Sequence, residues 1–183
     1  DGYWSRGLGD VYKRQKGKDV GPAKLKEVAA FLASPESAAV RRLVLSGNMI
    51  TDRGKDLSGL KALCEVLPTL KHAIALDLAN CGLGVAEVNE VATAIHVGAA
   101  VTRLNLSSNM ITGTKYDGGW KYDIDLSGLI SLCDALLTLK NPIELELSNC
   151  GLSVNGVNPV AKAIQACANL TSMNCLNNPL GEG

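Results

Sequence analysis

The side chains of this sequence best suited to chemistry crowd into one stretch, residues 112–128, which reads TGTKYDGGWKYDIDLSG. Three carboxylates, Asp117, Asp123 and Asp125, stand there beside Gly118 and Gly119. Oxygen ligands on a glycine-rich loop are the chemistry of calcium binding. The spacing is not that of an EF-hand, and Lys115 and Lys121 offset the charge. The acidic residues therefore read as a solvated loop, with Asp125 and Ser127, like Asp56 and Ser58, capping the helix that follows. No metal is expected. The stretch also carries Tyr116, Trp120 and Tyr122; outside it and residues 1–15, the chain's only aromatic is Phe31. Aromatic rings enrich interface cores, so these three are expected to anchor a partner. The competing reading is that Trp120 folds back and staples its own loop.

Nothing else assembles a reaction. His72 and His96 fall at or near expected helix ends, away from any repeated Ser, Cys or Asp. There is no phosphate-cradling glycine loop ending in Lys-Ser/Thr and no HExxH, so the chain reads as a non-enzyme without cofactor. Lysine and arginine total 18, as do aspartate and glutamate. That balance argues against nucleic acid and anionic membranes, which attract a basic excess. No apolar run reaches the length of a membrane span, and no secretory leader is visible. The two sequons, at Asn105 and Asn169, are read as unglycosylated.

The scaffold that must position the loop is repetitive. LVLSGNMI from Leu43, LDLANCGL from Leu76, LNLSSNMI from Leu104 and LELSNCGL from Leu145 align, with a weaker copy, MNCLNNPL, from Met173. Five residues after each start stand Asn48, Cys81, Asn109, Cys150 and Asn178; seven after stand Ile50, Leu83, Ile111, Leu152 and Leu180. Downstream come apolar triads spaced three then four: Leu60, Leu63, Leu67; Val88, Val91, Ile95; Leu129, Leu132, Leu136; and Val157, Val160, Ile164. That spacing lines one face of a helix. Each unit is thus a strand, a turn and a helix. One unit buries about six apolar side chains at ~2 kcal/mol each, against ~1.5 kcal/mol for every residue it orders. A unit cannot stand alone, and stacking supplies the rest.

The pattern resembles the leucine-rich repeat. The alternation of Asn-type and Cys-type units, with the shorter units 28 residues long, is similar to the ribonuclease-inhibitor-like subfamily. The resemblance covers about residues 24–183. It implies an α/β solenoid, with a curved parallel sheet inside and helices outside. Cys81 and Cys150 are then turn residues. Cys64 and Cys133 share one helix position and Cys175 replaces a strand leucine, while Cys167 has no evident repeat role. Buried periodic thiols fit a reducing compartment and a cytoplasmic location.

Such solenoids bind most often on the concave face. Strand alternation assigns to it the column Arg42, Ala75, Arg103, Glu144, Ser172 and the column Val44, Asp77, Asn105, Glu146, Asn174. A third column is Ser46, Ala79, Ser107, Ser148, Leu176. The subfamily's enzyme binding leans on aromatic and acidic residues of this face, and here it has no aromatic. Arg42 and Arg103 are the hot-spot candidates.

Between turn and helix, the short units have four residues, GVAE and SVNG. The long ones have nine, TDRGKDLSG, and seventeen, the aromatic stretch. Both insertions are expected on one edge, two strand spacings or ~10 Å apart. The implied function is protein–protein interaction or scaffolding, with another protein as partner. The alternatives are a sensor segment of a larger intracellular receptor, or a GTPase-activating protein of Ran type, which shares this repeat and acts from an edge loop. Arg53 would be the loop arginine of that last reading.

Residues 1–19 are read as a non-repeat leader, foreign or disordered, and residues 20–183 as the repeat domain, truncated at both ends. Leu25, Val28 and Leu32 form the helix of a preceding unit, whose strand belongs near Lys13, yet no strand pattern is visible there. The basic run Lys13, Arg14, Lys16, Lys18 is read as a solvated tail.

Overall fold

A computed structural model describes residues 11–14 and 19–180. A parallel sheet runs β1 (Val11–Arg14), β2 (Val40–Val44), β3 (Ile74–Asp77), β4 (Val101–Asn105), β7 (Ile143–Glu146) and β8 (Leu170–Asn174), in that spatial order. Between successive strands lie α1 (Pro22–Ala33), α2 (Ser58–Val66), α3 (Val85–His96), α4 (Ser127–Leu136) and α5 (Val154–Ala166). A separate antiparallel hairpin, β5 (Lys115–Tyr116) and β6 (Trp120–Lys121), lies in the long insertion. Each strand neighbours the next in sequence, and each crossover carries a helix, the α/β solenoid that the repeat arithmetic implies.

The register follows the repeat position for position. Leu43, Leu76, Leu104, Leu145 and Met173 pair in one row. Of these, the four leucines are fully buried between sheet and helices. The helical triads supply the opposing layer: Leu60, Leu63 and Leu67, Val88, Val91 and Ile95, and Leu129, Leu132 and Leu136 are all buried. Burying each such side chain contributes about 2 kcal/mol. In α5 the pattern loosens. Val160 is buried, but Ile164 is 52% exposed, because among the described residues no helix packs on that side of α5.

Turn chemistry explains the Asn/Cys alternation. The Asn109 carboxamide oxygen accepts from the N–H groups of Cys81 and Leu83, each at 3.0 Å, and its amide donates to Leu78 O and Leu106 O. Asn178 repeats this two units later, accepting from Cys150 N and Leu152 N. Cys81 and Cys150 turn their thiols onto Leu45 O and Leu106 O, each at 3.3 Å. Backbone groups freed where the chain leaves the strand are thereby satisfied. Cys167 acquires a role here: it ends α5, and its thiol donates to Leu136 O at the end of α4, at 3.1 Å.

The strand that the repeat spacing places near Lys13 is present, although no strand pattern marks it in the sequence. Val11–Arg14 pairs in parallel with β2, and Lys13 lies opposite Leu43, where the repeat spacing places the missing strand. An open strand edge offers a row of unpaired N–H and C=O groups. It can pair with an extended backbone that lacks apolar alternation. Residues 1–10 and 15–18 of the leader reading lie outside those described.

Candidate functional site: an aromatic hairpin latched to the repeat

The two insertions leave the sheet after Ile50 and Ile111, from the β2 and β4 units, with β3 between them. Both re-enter the scaffold the same way. Asp56 accepts the Ser58 N–H at 2.8 Å, and Asp125 accepts the Ser127 N–H at 2.9 Å, an Asx turn that opens α2 and α4. The serine hydroxyl and N–H hold each of these carboxyls below its ordinary value. The glycine of each DLSG lets the helix start close on its predecessor. A Cβ at Gly59 would strike Pro22 O, and one at Gly128 would strike Val85 O.

Each insertion is also tied across to the following unit. In the shorter one, Thr51 Oγ1 donates to Glu87 Oε1 at 3.2 Å, and the other carboxylate oxygen accepts Gly84 N–H at 3.0 Å. Glu87 sits in the first turn of α3 and is 4% exposed. In the longer one the carboxylate comes from the loop. Asp123 accepts from Ser153 Oγ at 2.6 Å, from Ser153 N at 3.2 Å and from Gly156 N at 2.7 Å. These donors belong to the N-cap and third residue of α5, so Asp123 caps a helix that lies downstream of its own. Gly156 occupies the repeat position of Glu87, and a Cβ there would come within 2.6 Å of Asp123 Oδ1. The calcium reading and the solvated-loop reading both missed this. The signal was the GVAE/SVNG pair, in which a first-turn glutamate is exchanged for glycine.

Beneath the hairpin, Thr112 is fully buried; its Oγ1 lies 2.9 Å from Thr114 Oγ1 and bonds Gly151 O at 3.0 Å. Asp125 N–H donates to Thr112 O at 3.1 Å and closes the loop's base. The hairpin is therefore held at both feet.

On this base the aromatics pack on each other. Tyr116 and Trp120 are cross-strand partners, edge to face at 5.5 Å, and Trp120 and Tyr122 lie near-parallel at 6.4 Å. Tyr116 is 69% exposed and Trp120 56%. Ile124 is exposed as well, and so is Val154 on α5, which lies between the two residues that hold Asp123. Trp120 does not fold back into the core; the staple is Asp123.

The secondary candidates lie elsewhere. Arg42, Ala75, Arg103, Glu144 and Ser172 pair in one row across the sheet. Arg42 and Arg103 flank Ala75 and, with Asp77 and Asn105, line a shallow depression. Arg103 bonds Glu146 at 3.1 Å and lies 3.7 Å from Glu144. Asn105 donates to Asp77, and Asn174 to Glu146. Arg53 is exposed in the shorter insertion, where Asp52, Arg53 and Gly54 all have positive φ. Neither arginine region touches the aromatic hairpin by any bond or ion pair described.

All six cysteines are free thiols; five are buried and Cys175 is half-buried. Burial pushes Cys64, Cys81, Cys133 and Cys150 up to about 12. Among the described residues no cluster of metal-ligating side chains occurs, and no helix is long and apolar enough to cross a membrane.

Strand, Asn or Cys turn, and helix, stacked in register, define a leucine-rich-repeat protein of ribonuclease-inhibitor-like type. Two relatives match the chain. One is NACHT, LRR and PYD domains-containing protein 5 of Bos taurus, 30% identical over 161 residues, which is 87% of this chain. The other is the ribonuclease inhibitor of Mus musculus, 27% identical over 122 residues, 64% of this chain. The chain spans only 13% and 23% of those proteins' lengths. No family model matches the chain.

Proposed function

We propose that this chain is a protein-binding repeat module that works by contact, with the hairpin of Tyr116, Trp120 and Tyr122 as its anchor. The observation that carries this is the pairing of exposure with fixation. Tyr116 and Trp120 stand in solvent, with Tyr122 half-buried and stacked on Trp120, while Asp123 and Thr112 fix the loop beneath them. Exposed rings on a rigid support lose little entropy on docking. Arg42 and Arg103 on the sheet serve as a secondary contact. A scaffold role in the cytoplasm is consistent with free, buried thiols.

The test is a pull-down from native lysate with wild type and Trp120→Ala/Tyr122→Ala, both shown to be folded by circular dichroism. Loss of a specific partner in the variant supports the reading. Retention of every partner overturns it and moves the search to Arg42 and Arg103. The left-handed backbone at Asp52 and Arg53 favours one second reading, a loop arginine that stimulates a GTPase, since such conformations gather at functional sites. Arg53→Ala would then abolish stimulation of a Ran-type GTPase, while Trp120→Ala would leave it intact.

A further inference from the structure

The hairpin's charges are not equivalent once their partners are assigned. Asp123 is committed to Ser153 and Gly156, and Asp125 to Ser127. Asp117 holds Lys121 at 3.1 Å. All three loop carboxylates thus have internal donors, although the loop looks acidic in sequence. Lys115 has no ion pair among the described residues, and it lies directly opposite Lys121 in the hairpin register. The Lys121–Asp117 pair is itself weak, with both side chains more than half exposed, and such a pair yields readily to a competing carboxylate.

Alternation divides the hairpin into two faces. Tyr116, Trp120 and Tyr122 share one, and Lys115 and Lys121 share the other. The hairpin is two strands wide, about 5 Å, and a four-carbon lysine stem is long enough to bring its ammonium group round to the aromatic side when a partner docks there. Resting on the anchor reading above, we infer that the partner contributes an acidic segment with an apolar anchor. Its aromatic or leucine side chain covers Trp120, and its flanking carboxylates meet Lys115 and Lys121. A basic segment finds fewer acceptors, because Asp123 and Asp125 are committed within the chain and only Asp117 is exposed to receive it.

A displayed library of random dodecapeptides, panned against the whole chain and counter-panned against Trp120→Ala, tests this directly. The expected clones are rich in Asp and Glu around one Trp, Phe or Leu. They bind at least tenfold more weakly to Trp120→Ala, with Tyr116→Ala as a second anchor variant. Lys115→Glu/Lys121→Glu weakens them severalfold and turns selection toward basic clones. Clones that need Trp120 but are neutral or basic overturn the acidic partner and leave the aromatic anchor standing. A library with no Trp120-dependent clone overturns both. Binding to phosphatidylserine vesicles that outcompetes every clone overturns the peptide partner in favour of a lipid surface.

Discussion

Asp123 and Gly156 stand 33 residues apart and meet through one hydrogen bond of 2.7 Å, N–H to carboxylate. The contact joins the chain's longest insertion to the first turn of the next unit's helix. It occupies the place where the shorter insertion meets Glu87. The two joints are one solution with the carboxylate on opposite sides: on the helix in one unit, on the loop in the other.

This equivalence predicts a rescue. Asp123→Ala leaves Ser153 and Gly156 without their acceptor, which costs about 1–3 kcal/mol, and trypsin should then cut faster at Lys115 and Lys121. Gly156→Glu alone crowds Asp123 and destabilises. Together, Asp123→Ala/Gly156→Glu restores a first-turn carboxylate and recovers much of the loss. Urea denaturation of the four proteins measures the coupling, and simple additivity would refute the equivalence.

Thiol chemistry is predicted to be strongly ordered. With Cys64, Cys81, Cys133 and Cys150 pushed up to about 12 by burial, almost no thiolate is present at pH 8, and access is closed. Cys175, half-buried at the last strand, should react first with iodoacetamide, and the others only on unfolding. Mass spectrometry of the native protein over time would show this. Rapid modification of Cys81 or Cys150 would mean that the turns open.

Acid should loosen α2 and α4 at their starts. Asp56 and Asp125 lie below their ordinary value of 3.8 in the folded chain. Their contribution is therefore complete above that value and is lost as pH falls through the folded-state pKa. Stability should decline between about pH 5 and pH 2. Asp56→Asn/Asp125→Asn should flatten this limb without shifting the neutral plateau by as much. Urea midpoints at a series of pH values decide it.

Much of the scaffold was readable because a repeat tests itself. Leu43, Leu76, Leu104 and Leu145 fall in one sheet row because five copies of one pattern must share one register. Whether Trp120 stands out or folds back is open in the sequence, which does not say what a ring in a polar insertion packs on. The role of Asp123 was not legible. A carboxylate that caps a distant helix leaves no periodic mark, and its function shows only beside the glycine it replaces a glutamate for. The strand at Val11–Arg14 escaped for a related reason: its pairing is supplied by the edge of β2 rather than by its own side-chain pattern. Ile164 shows the limit of periodicity, which names a face but not whether anything covers it.

The Asn turns carry a direction. Asn48 accepts from Val20, Asn109 from Cys81 and Leu83, and Asn178 from Cys150 and Leu152. Cys81 and Cys150 likewise donate back to Leu45 and Leu106. Each of these bonds is made by the later segment to the earlier one. A chain emerging from the ribosome therefore seals behind itself: every new turn completes the one already made, and the unsealed turn is always the newest. The array can therefore close its turns in the order in which they are made.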